Sequence, residues 1–336
     1  MKAIAYHHAG SINRDDALLD LELPMPEPGP HDLRVKVAAV SVNPVDTKIR
    51  NSRQPQAGQA EILGWDAVGV VDALGKSVTG FAIGDRVWYA GAINRPGSNA
   101  QFQLVDARIA SHAPQELDDA QAAALPLTSI TAWEILFSRF GIGEGGGAGQ
   151  TLLITGAAGG VGSILIQLAR TLTRLTVVAT TSRPESSDWV KSLGAHHVIN
   201  HHEPFVPQLQ AAGIANVQLA ASLTHTAQHF DQLIDSLAPQ GKLALIDDFA
   251  TLDIMKMKAK SLSLHWELMF TRSLFQTSDM AEQGRLLARV AELADASKLR
   301  STVNANFGTI NAANLRRAHA LLESGQSRGK IVLSGF

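Results

Sequence analysis

Residues 151–170 read TLLITGAAGGVGSILIQLAR, and their order of residue types decides the fold. Residues 151–155 form an apolar run with the length of a buried parallel strand. Gly156-Ala157-Ala158-Gly159-Gly160-Val161-Gly162 follows at once. From Ser163 the spacing turns helical, with Ile164, Leu165, Leu168 and Leu172 on one face. Strand, glycine turn and helix is the context of a dinucleotide-binding fingerprint. The helix N-terminus offers amides without partners and a partial positive charge to a pyrophosphate. Gly159 and Gly162 stand at the second and third glycine positions of G-x-G-x-x-G, while Ala157 replaces the first. The residues expected to line the phosphates are Gly159, Gly160, Val161 and Gly162.

Outward from this stretch, the pattern alternates strand and helix. Strands are expected at 175–181, 197–199, 217–223 and 242–247, and helices at 161–172, 185–193, 204–211 and 226–237. Such alternation builds a parallel sheet covered on both faces. Residues 261–270, SLSLHWELMF, alternate polar and apolar and read as its last strand. An apolar edge strand needs cover, and pairing with its twin in a homodimer is the expectation. Residues 1–120 hold short strands and turns, with no helix beyond a turn and a half before Asp118, the profile of a β-barrel-like domain. Helices follow at 118–125 and 128–139. A loop with six glycines, 141–149, leads into the strand at Thr151. An amphipathic helix at 279–294, with Asp279 and Glu282 as a capping box, and another at 312–323 precede a closing strand, Lys330-Ile331-Val332-Leu333, expected to return to the first domain.

The chain has 336 residues, enough for two domains. It is 45% hydrophobic and 18% charged with a net charge of −2, which gives no electrostatic case for nucleic acid or an anionic membrane. No apolar run has the length of a bilayer span. MKAIAYHHAG at the start reads as a strand entering a turn, and a cytoplasmic protein is the expectation. There is no cysteine, which excludes disulfides, thiolate catalysis and thiolate-bound zinc.

Several stretches now carry a resemblance. SVNPVDTK at 41–48, GWD at 64–66, GDRV at 84–87 and GAAGGVG at 156–162 resemble the medium-chain dehydrogenase/reductase superfamily and its quinone oxidoreductase branch. NPVDTK, LGWDAVGVV, TSRPES, SLSLHWELMF and GKIVL resemble the subgroup called zinc-type alcohol dehydrogenase-like. The resemblance covers essentially the full length. It implies an α/β protein with a GroES-like β-rich catalytic domain over 1–122 and 271–336, and a Rossmann doubly wound parallel-sheet domain over 123–270. It also raises the question of zinc. Zinc-dependent relatives carry a cysteine where Asn43 stands and His-Glu where Trp65-Asp66 stand. An indole binds no metal, and the four-cysteine structural lobe has no counterpart, so no metal site is expected.

The end of the second strand selects the cofactor. An NAD site places an acid there to hold the ribose hydroxyls. Here the strand runs into Ser182-Arg183-Pro184. Arg183 suits a 2′-phosphate through paired, charge-assisted bonds, which points to NADP. Ser182 equally suits an N-cap before Pro184, and both roles are compatible. The resemblance adds His201 beside the adenine or its phosphate, Thr131 near the nicotinamide, and Lys330 reaching the cofactor. Ser222 to Thr226, with Leu223 and Thr224, lies at the carboxyl end of a strand, where open sheets bind ligands. A solvated loop histidine and a solvated lysine are the plain alternatives.

The chemistry implied is NADPH-dependent reduction of a quinone or an α,β-unsaturated carbonyl without zinc. Charge builds on the substrate oxygen, and the Asn43 amide, the Lys48 ammonium and a cofactor ribose hydroxyl are the candidate donors. Asn43, Pro44 and Asp46 also make a good helix start, which is the structural reading of the segment, Asp46 included. The alternatives are a zinc-type alcohol dehydrogenase with a degenerate metal site, and an NADPH-binding protein without turnover.

Overall fold

A computed structural model describes residues Met1–Phe336. In chain order the elements are β1 (Lys2–Tyr6), β2 (Leu19–Glu22), β3 (Asp32–Val42), α1 (Pro44–Ser52), β4 (Glu61–Ile62), β5 (Ala67–Leu74), β6 (Arg86–Tyr89), β7 (Phe102–Asp106), β8 (Ala110–His112), α2 (Asp119–Ala123) and α3 (Pro126–Trp133). Then come β9 (Thr151–Thr155), α4 (Gly160–Leu172), β10 (Thr176–Thr181), α5 (Pro184–Ser192), β11 (His197–Asn200), α6 (Phe205–Ala211), β12 (Val217–Ser222), α7 (Thr226–Ser236), β13 (Leu237–Leu245) and β14 (Ser263–Trp266). The chain closes with α8 (Thr271–Phe275), α9 (Glu282–Asp295), β15 (Val303–Asn306), α10 (Ala312–Glu323) and β16 (Lys330–Ser334). Two compact units result: Met1–Ile130 with Phe270–Phe336, and Thr131–Met269.

The second unit is a six-stranded sheet in the order β11-β10-β9-β12-β13-β14, and every pair runs parallel. This is the doubly wound arrangement in which the strand order reverses between the first and fourth strands, here β9 and β12. Ligands of such sheets bind outside the carboxyl ends of the strands at that reversal. All five residues of β9 are buried, which explains the apolar run Leu152-Leu153-Ile154 at its centre. Leu153, Val178, Ala220, Leu243 and Leu245 join Phe205, Phe230 and Leu233 in the core on one face of the sheet.

The first unit is β-rich, as its short strands and turns require. A seven-stranded sheet has the order β15-β16-β3-β5-β6-β8, with β7 also pairing β3, and a three-stranded sheet has the order β2-β1-β4. All of these pairs are antiparallel except β15 with β16. The closing strand β16 lies along β3, matching Ile331 to Val42 and Leu333 to Val40. The chain's end therefore returns to the β-rich unit.

Four sequence expectations need correction. Helix α1 spans nine residues, longer than any helix foreseen before Asp118. It buries Asp46, Thr47 and Arg50 in place of an apolar stripe, so periodicity could not reveal it. The helix expected over 128–139 is α-helical only to Trp133 and then π-helical over Glu134–Arg139. The i+5 spacing brings the Arg139 guanidinium to the buried Glu134, while its Nε donates to Glu267 at 2.7 Å. Asp279 does not cap α9; its carboxylate accepts from Thr277 Oγ1 and Arg272 Nε, and the helix begins at Glu282. The last strand of the parallel sheet stops at Trp266, because Glu267 turns inward to Arg139 and breaks the alternation. Trp266 is left exposed on edge strand β14, stacked on Phe249 at 5.2 Å between ring centroids.

Candidate functional site

In the parallel-sheet unit, the turn after β9 has the geometry its glycines predict. Gly156 has a φ of 67°, a left-handed conformation that favours glycine. A Cβ on Gly162 would lie 2.4 Å from the Ala157 carbonyl oxygen, so only glycine lets α4 pack this tightly on the turn. A Cβ on Gly159 would meet only the Gly156 oxygen, at 3.3 Å. No other atom lies within 4 Å of that position, so a close backbone approach by a phosphate is sterically allowed. Gly160, Val161 and Gly162 form the first turn of α4, whose amides have no intrahelical acceptor. The β12–α7 connection lies against the same turn: the Gly156 Cβ position is 2.8 Å from Thr224 Cγ2 and 3.4 Å from Leu223 Cβ. Leu223 and Thr224 thus border the point where strand order reverses.

Ser182 and Arg183 follow β10 and are both exposed. The N-cap of α5 is Arg183, with Pro184 next, and no side chain caps that helix. Ser182 therefore does not serve as the cap. Arg183 stands at the end of β10 with its guanidinium in solvent and no acid at the adjoining position. His201 follows β11, its ring 4.6 Å from that of His202 and 5.8 Å from that of His229. Burial, with neighbouring imidazoles and Arg183, holds His201 down to about 4. Thr131 is buried on α3.

In the β-rich unit, Asn43, Asp66 and Lys330 meet in one buried cluster, each at most 3% exposed. Lys330 Nζ donates to Val42 O at 3.1 Å, to Asp66 Oδ2 at 3.1 Å and to Asn43 Oδ1. Asn43 Nδ2 donates to Asp66 Oδ2 at 2.9 Å and to Ser41 O at 3.3 Å. Asp66 Oδ1 accepts the Leu127 amide at 2.8 Å. Burial raises the Asp66 carboxyl, and the Lys330 ammonium opposes that rise. Asp46, also buried, accepts the Asn43 amide at 2.5 Å on Oδ2, the helix-start role expected of it. Burial pushes its carboxyl up to about 7.

The cluster engages two of the expected site residues. Both Nδ2 hydrogens of Asn43 are taken within it, by Asp66 and by the Ser41 carbonyl. All three ammonium hydrogens of Lys330 are likewise taken, in the core of its unit. Lys48, one turn along α1 from Asn43, is exposed. Sequence reasoning missed the Lys330–Asp66 pair. The only signal was a lysine at the head of a strand that otherwise reads as core.

The donor set at this place does not fit zinc. The Trp65 indole is fully buried, donates Nε1 to Ala92 O at 3.1 Å and packs edge-on against Phe270. Asp66 accepts three hydrogen bonds, one from an ammonium, and a metal ion there would face that positive charge.

A doubly wound parallel sheet with a glycine phosphate turn, joined to a β-rich unit, defines a two-domain nicotinamide-dependent oxidoreductase. Comparison with known proteins agrees. The profile for the alcohol dehydrogenase GroES-like domain matches residues 29–114, and that for zinc-binding dehydrogenases matches 193–333. A zinc-type alcohol dehydrogenase-like protein of Staphylococcus aureus is 36% identical over 99% of this chain and 100% of its own. A Rhizobium etli protein provisionally described as a zinc-dependent alcohol dehydrogenase has a solved structure with 53% identity. It superposes with a TM-score of 0.96 over 100% of this chain and 98% of its own. A mycobacterial protein solved in complex with NADPH is 27% identical, with a TM-score of 0.85 over 99% of each chain. The chain belongs to the medium-chain dehydrogenase/reductase superfamily, with the zinc-type alcohol dehydrogenase-like proteins among its relatives.

Proposed function

We propose that this chain is a zinc-independent, NADPH-dependent oxidoreductase that reduces quinones or α,β-unsaturated carbonyls. The observation that carries the cofactor reading is Arg183, exposed after β10 where an NAD enzyme needs an acid. An acid there would repel a 2′-phosphate, whereas a guanidinium binds it with charge-assisted bonds. The first-turn amides of α4 take the pyrophosphate, Ser182 and Arg183 the 2′-phosphate, and Leu223 and Thr224 border the nucleotide. When bound, the cofactor supplies hydride. The protein's task is then to stabilise charge on the substrate oxygen, and Lys48 is the side chain assigned to it. Asn43, Asp66 and Lys330 hold the start of α1 in place, and with it Lys48. The mycobacterial relative's NADPH and the resemblance to the quinone oxidoreductase branch support this reading.

Edge strand β14, with Trp266 exposed, supports the companion proposal of a homodimer formed strand to strand.

The test is a screen of quinones and enals with NADPH, followed by loss of nicotinamide absorbance, alongside metal analysis of the pure protein. Turnover in metal-free material supports the proposal. Stoichiometric zinc would turn the reading to an alcohol dehydrogenase. NADPH binding without turnover of any substrate would turn it to a binding protein.

A further inference from the structure

One chain of hydrogen bonds ties the carboxyl edge of the parallel sheet together. Ser222, the last residue of β12, lies in register with Thr155 of β9 and Leu245 of β13. The Thr155 hydroxyl donates to Ser222 Oγ at 3.2 Å, and Ser222 Oγ meets Thr226 Oγ1 at 2.7 Å. The Thr226 hydroxyl donates in turn to Asp247 Oδ1, just beyond β13. Thr155, Ser222 and Thr226 are each at most 1% exposed, so their hydroxyls depend on one another for partners. A carboxylate only accepts, and Asp247 therefore sets the direction of the chain: Thr155 donates to Ser222, Ser222 to Thr226 and Thr226 to Asp247.

Asp247 makes a second bond at the same place. Its Oδ2 accepts the amide of Thr226, the first residue of α7, at 2.9 Å. The N-cap before it, His225, provides no side-chain cap, and its backbone is left-handed, with φ 53° and ψ 35°. That conformation is costly for a residue with a Cβ and persists only where its surroundings impose it. The His225 side chain is exposed and meets only its neighbour, the Thr224 hydroxyl, at 2.8 Å. Asp247 thus supplies from another strand the cap that α7 lacks. The turn held in this way, Leu223 to His225, is the one packed on the glycine turn: the Gly156 Cβ position is 2.8 Å from Thr224 Cγ2. Gly156 itself follows Thr155, where the chain of hydroxyls begins. Both sides of the point where strand order reverses are therefore fixed by one set of bonds that ends on Asp247.

The geometry points to Asp247 as a positioning residue for the dinucleotide: through Thr226, Ser222 and Thr155 it holds the strained Leu223–His225 turn at the spacing from the glycine turn that the nucleotide needs. The inference rests on the cofactor reading above, in its binding of a dinucleotide and not in its choice of the 2′-phosphate. Asp247 acts through the turn and not by contact with the cofactor. Its carboxylate also occupies the N-terminus of α7, which leaves the amides of α4 as the place for a pyrophosphate. The parts of the nucleotide served by this turn are common to NADP and NAD, so loss of the hold weakens both alike.

The experiment is calorimetric titration of the full chain and its variants with NADP+ and with NAD+, at a temperature where thermal melts show each variant folded. Asp247→Asn keeps the side chain's shape and sets an amide donor against the Thr226 amide or hydroxyl. It should weaken both nucleotides by about fivefold to tenfold and leave their ratio within about twofold of wild type. Asp247→Asn/His225→Gly should bring both back to within about twofold of wild type, because glycine takes the left-handed conformation without the steric cost. A carboxylate that served stability alone would show no such rescue at His225. Thr226→Val cuts the chain of hydroxyls, spares the amide bond to Asp247 and keeps the test alive if Asp247→Asn does not fold. It should weaken both nucleotides by about twofold to fivefold, with Thr226→Ser close to wild type. Unchanged affinity in the folded variants, a loss confined to NADP+, or a loss that His225→Gly leaves in place overturns the inference and leaves the cofactor reading standing. Equal affinities for the two nucleotides in the wild type, with a loss shared by both in the variants, overturn the NADP preference and support the inference. Failure of the wild type to bind either nucleotide overturns both.

Discussion

Replacing Lys330 by methionine keeps most of the side-chain volume and removes the charge. In the wild type, the ammonium reaches Val42 O, Asp66 Oδ2 and Asn43 Oδ1 with no solvent nearby. Removing one partner of a buried pair costs about 3–5 kcal/mol, because the other charge is left without compensation. That is a large share of a domain stability of roughly 5–15 kcal/mol. The loss carries a pH signature. Without Lys330, burial of Asp66 is opposed only by the hydrogen bonds from Asn43 and the Leu127 amide, and its folded-state pKa rises further above an unfolded value of about 3.9. A carboxyl raised in the folded state is penalised above its folded pKa, and the penalty disappears as pH falls towards the unfolded value. Lys330→Met should therefore lose most stability near pH 8 and least near pH 5. Urea unfolding followed by tryptophan fluorescence reads this, since Trp65 and Trp88 are buried in the same unit. Adding Asp66→Asn should restore part of the loss. NADP+ affinity of the folded variant should stay within about twofold, below the tenfold that ~1.4 kcal/mol of lost contact would produce. A pH-independent loss under about 1 kcal/mol, or a tenfold loss of NADP+ affinity at unchanged stability, would refute the buried role.

Three further outcomes follow from the same geometry. Gly162→Ala puts a methyl 2.4 Å from the Ala157 oxygen, and overpacking of this kind costs about 1–3 kcal/mol; thermal unfolding should show the loss and NADP+ titration a weaker site. Asp46, raised to about 7 by burial, makes the wild type lose stability as pH rises from its unfolded value towards 7. Asp46→Asn should flatten that slope, gaining about 2–4 kcal/mol relative to wild type between pH 5 and 8, and parallel slopes in urea melts would contradict it. Trp266→Glu places a charge on the exposed edge strand; light scattering should show dimer becoming monomer at micromolar concentration, and a monomeric wild type would remove the proposed interface.

The sequence showed the parallel-sheet unit in most of its detail, because strand burial there depends on local runs. Residues 151–155, three aliphatic side chains between two threonines, are buried throughout and match β9, and Gly162 is glycine for a contact only a few residues away. The β-rich unit was legible as a class and not in its site. Its cluster joins Asn43, Asp66 and Lys330, which are far apart in sequence, through hydrogen bonds that have no periodicity. For the same reason Asn43 reads equally well as a cap and as a substrate donor until its partners are seen. Helix α1 was hidden because it buries Asp46, Thr47 and Arg50, and Arg50 pairs at 2.5 Å with Glu323 on α10, far along the chain. The strand expected at 261–270 failed at Glu267, whose burial depends on Arg139 in a π-helical turn, and polar alternation treats it as a solvated residue.

The central claim is that the turn at Gly159–Gly162, with Arg183, holds NADP in preference to NAD. Titrating the wild type and Arg183→Ala with NADP+ and NAD+ by calorimetry tests it most directly. The account predicts that the wild type binds NADP+ about ten- to a hundredfold more tightly than NAD+, the ~1.5–3 kcal/mol of a charge-assisted bond, and that Arg183→Ala erases the difference. Equal affinities in the wild type, or no heat with either nucleotide, would contradict it.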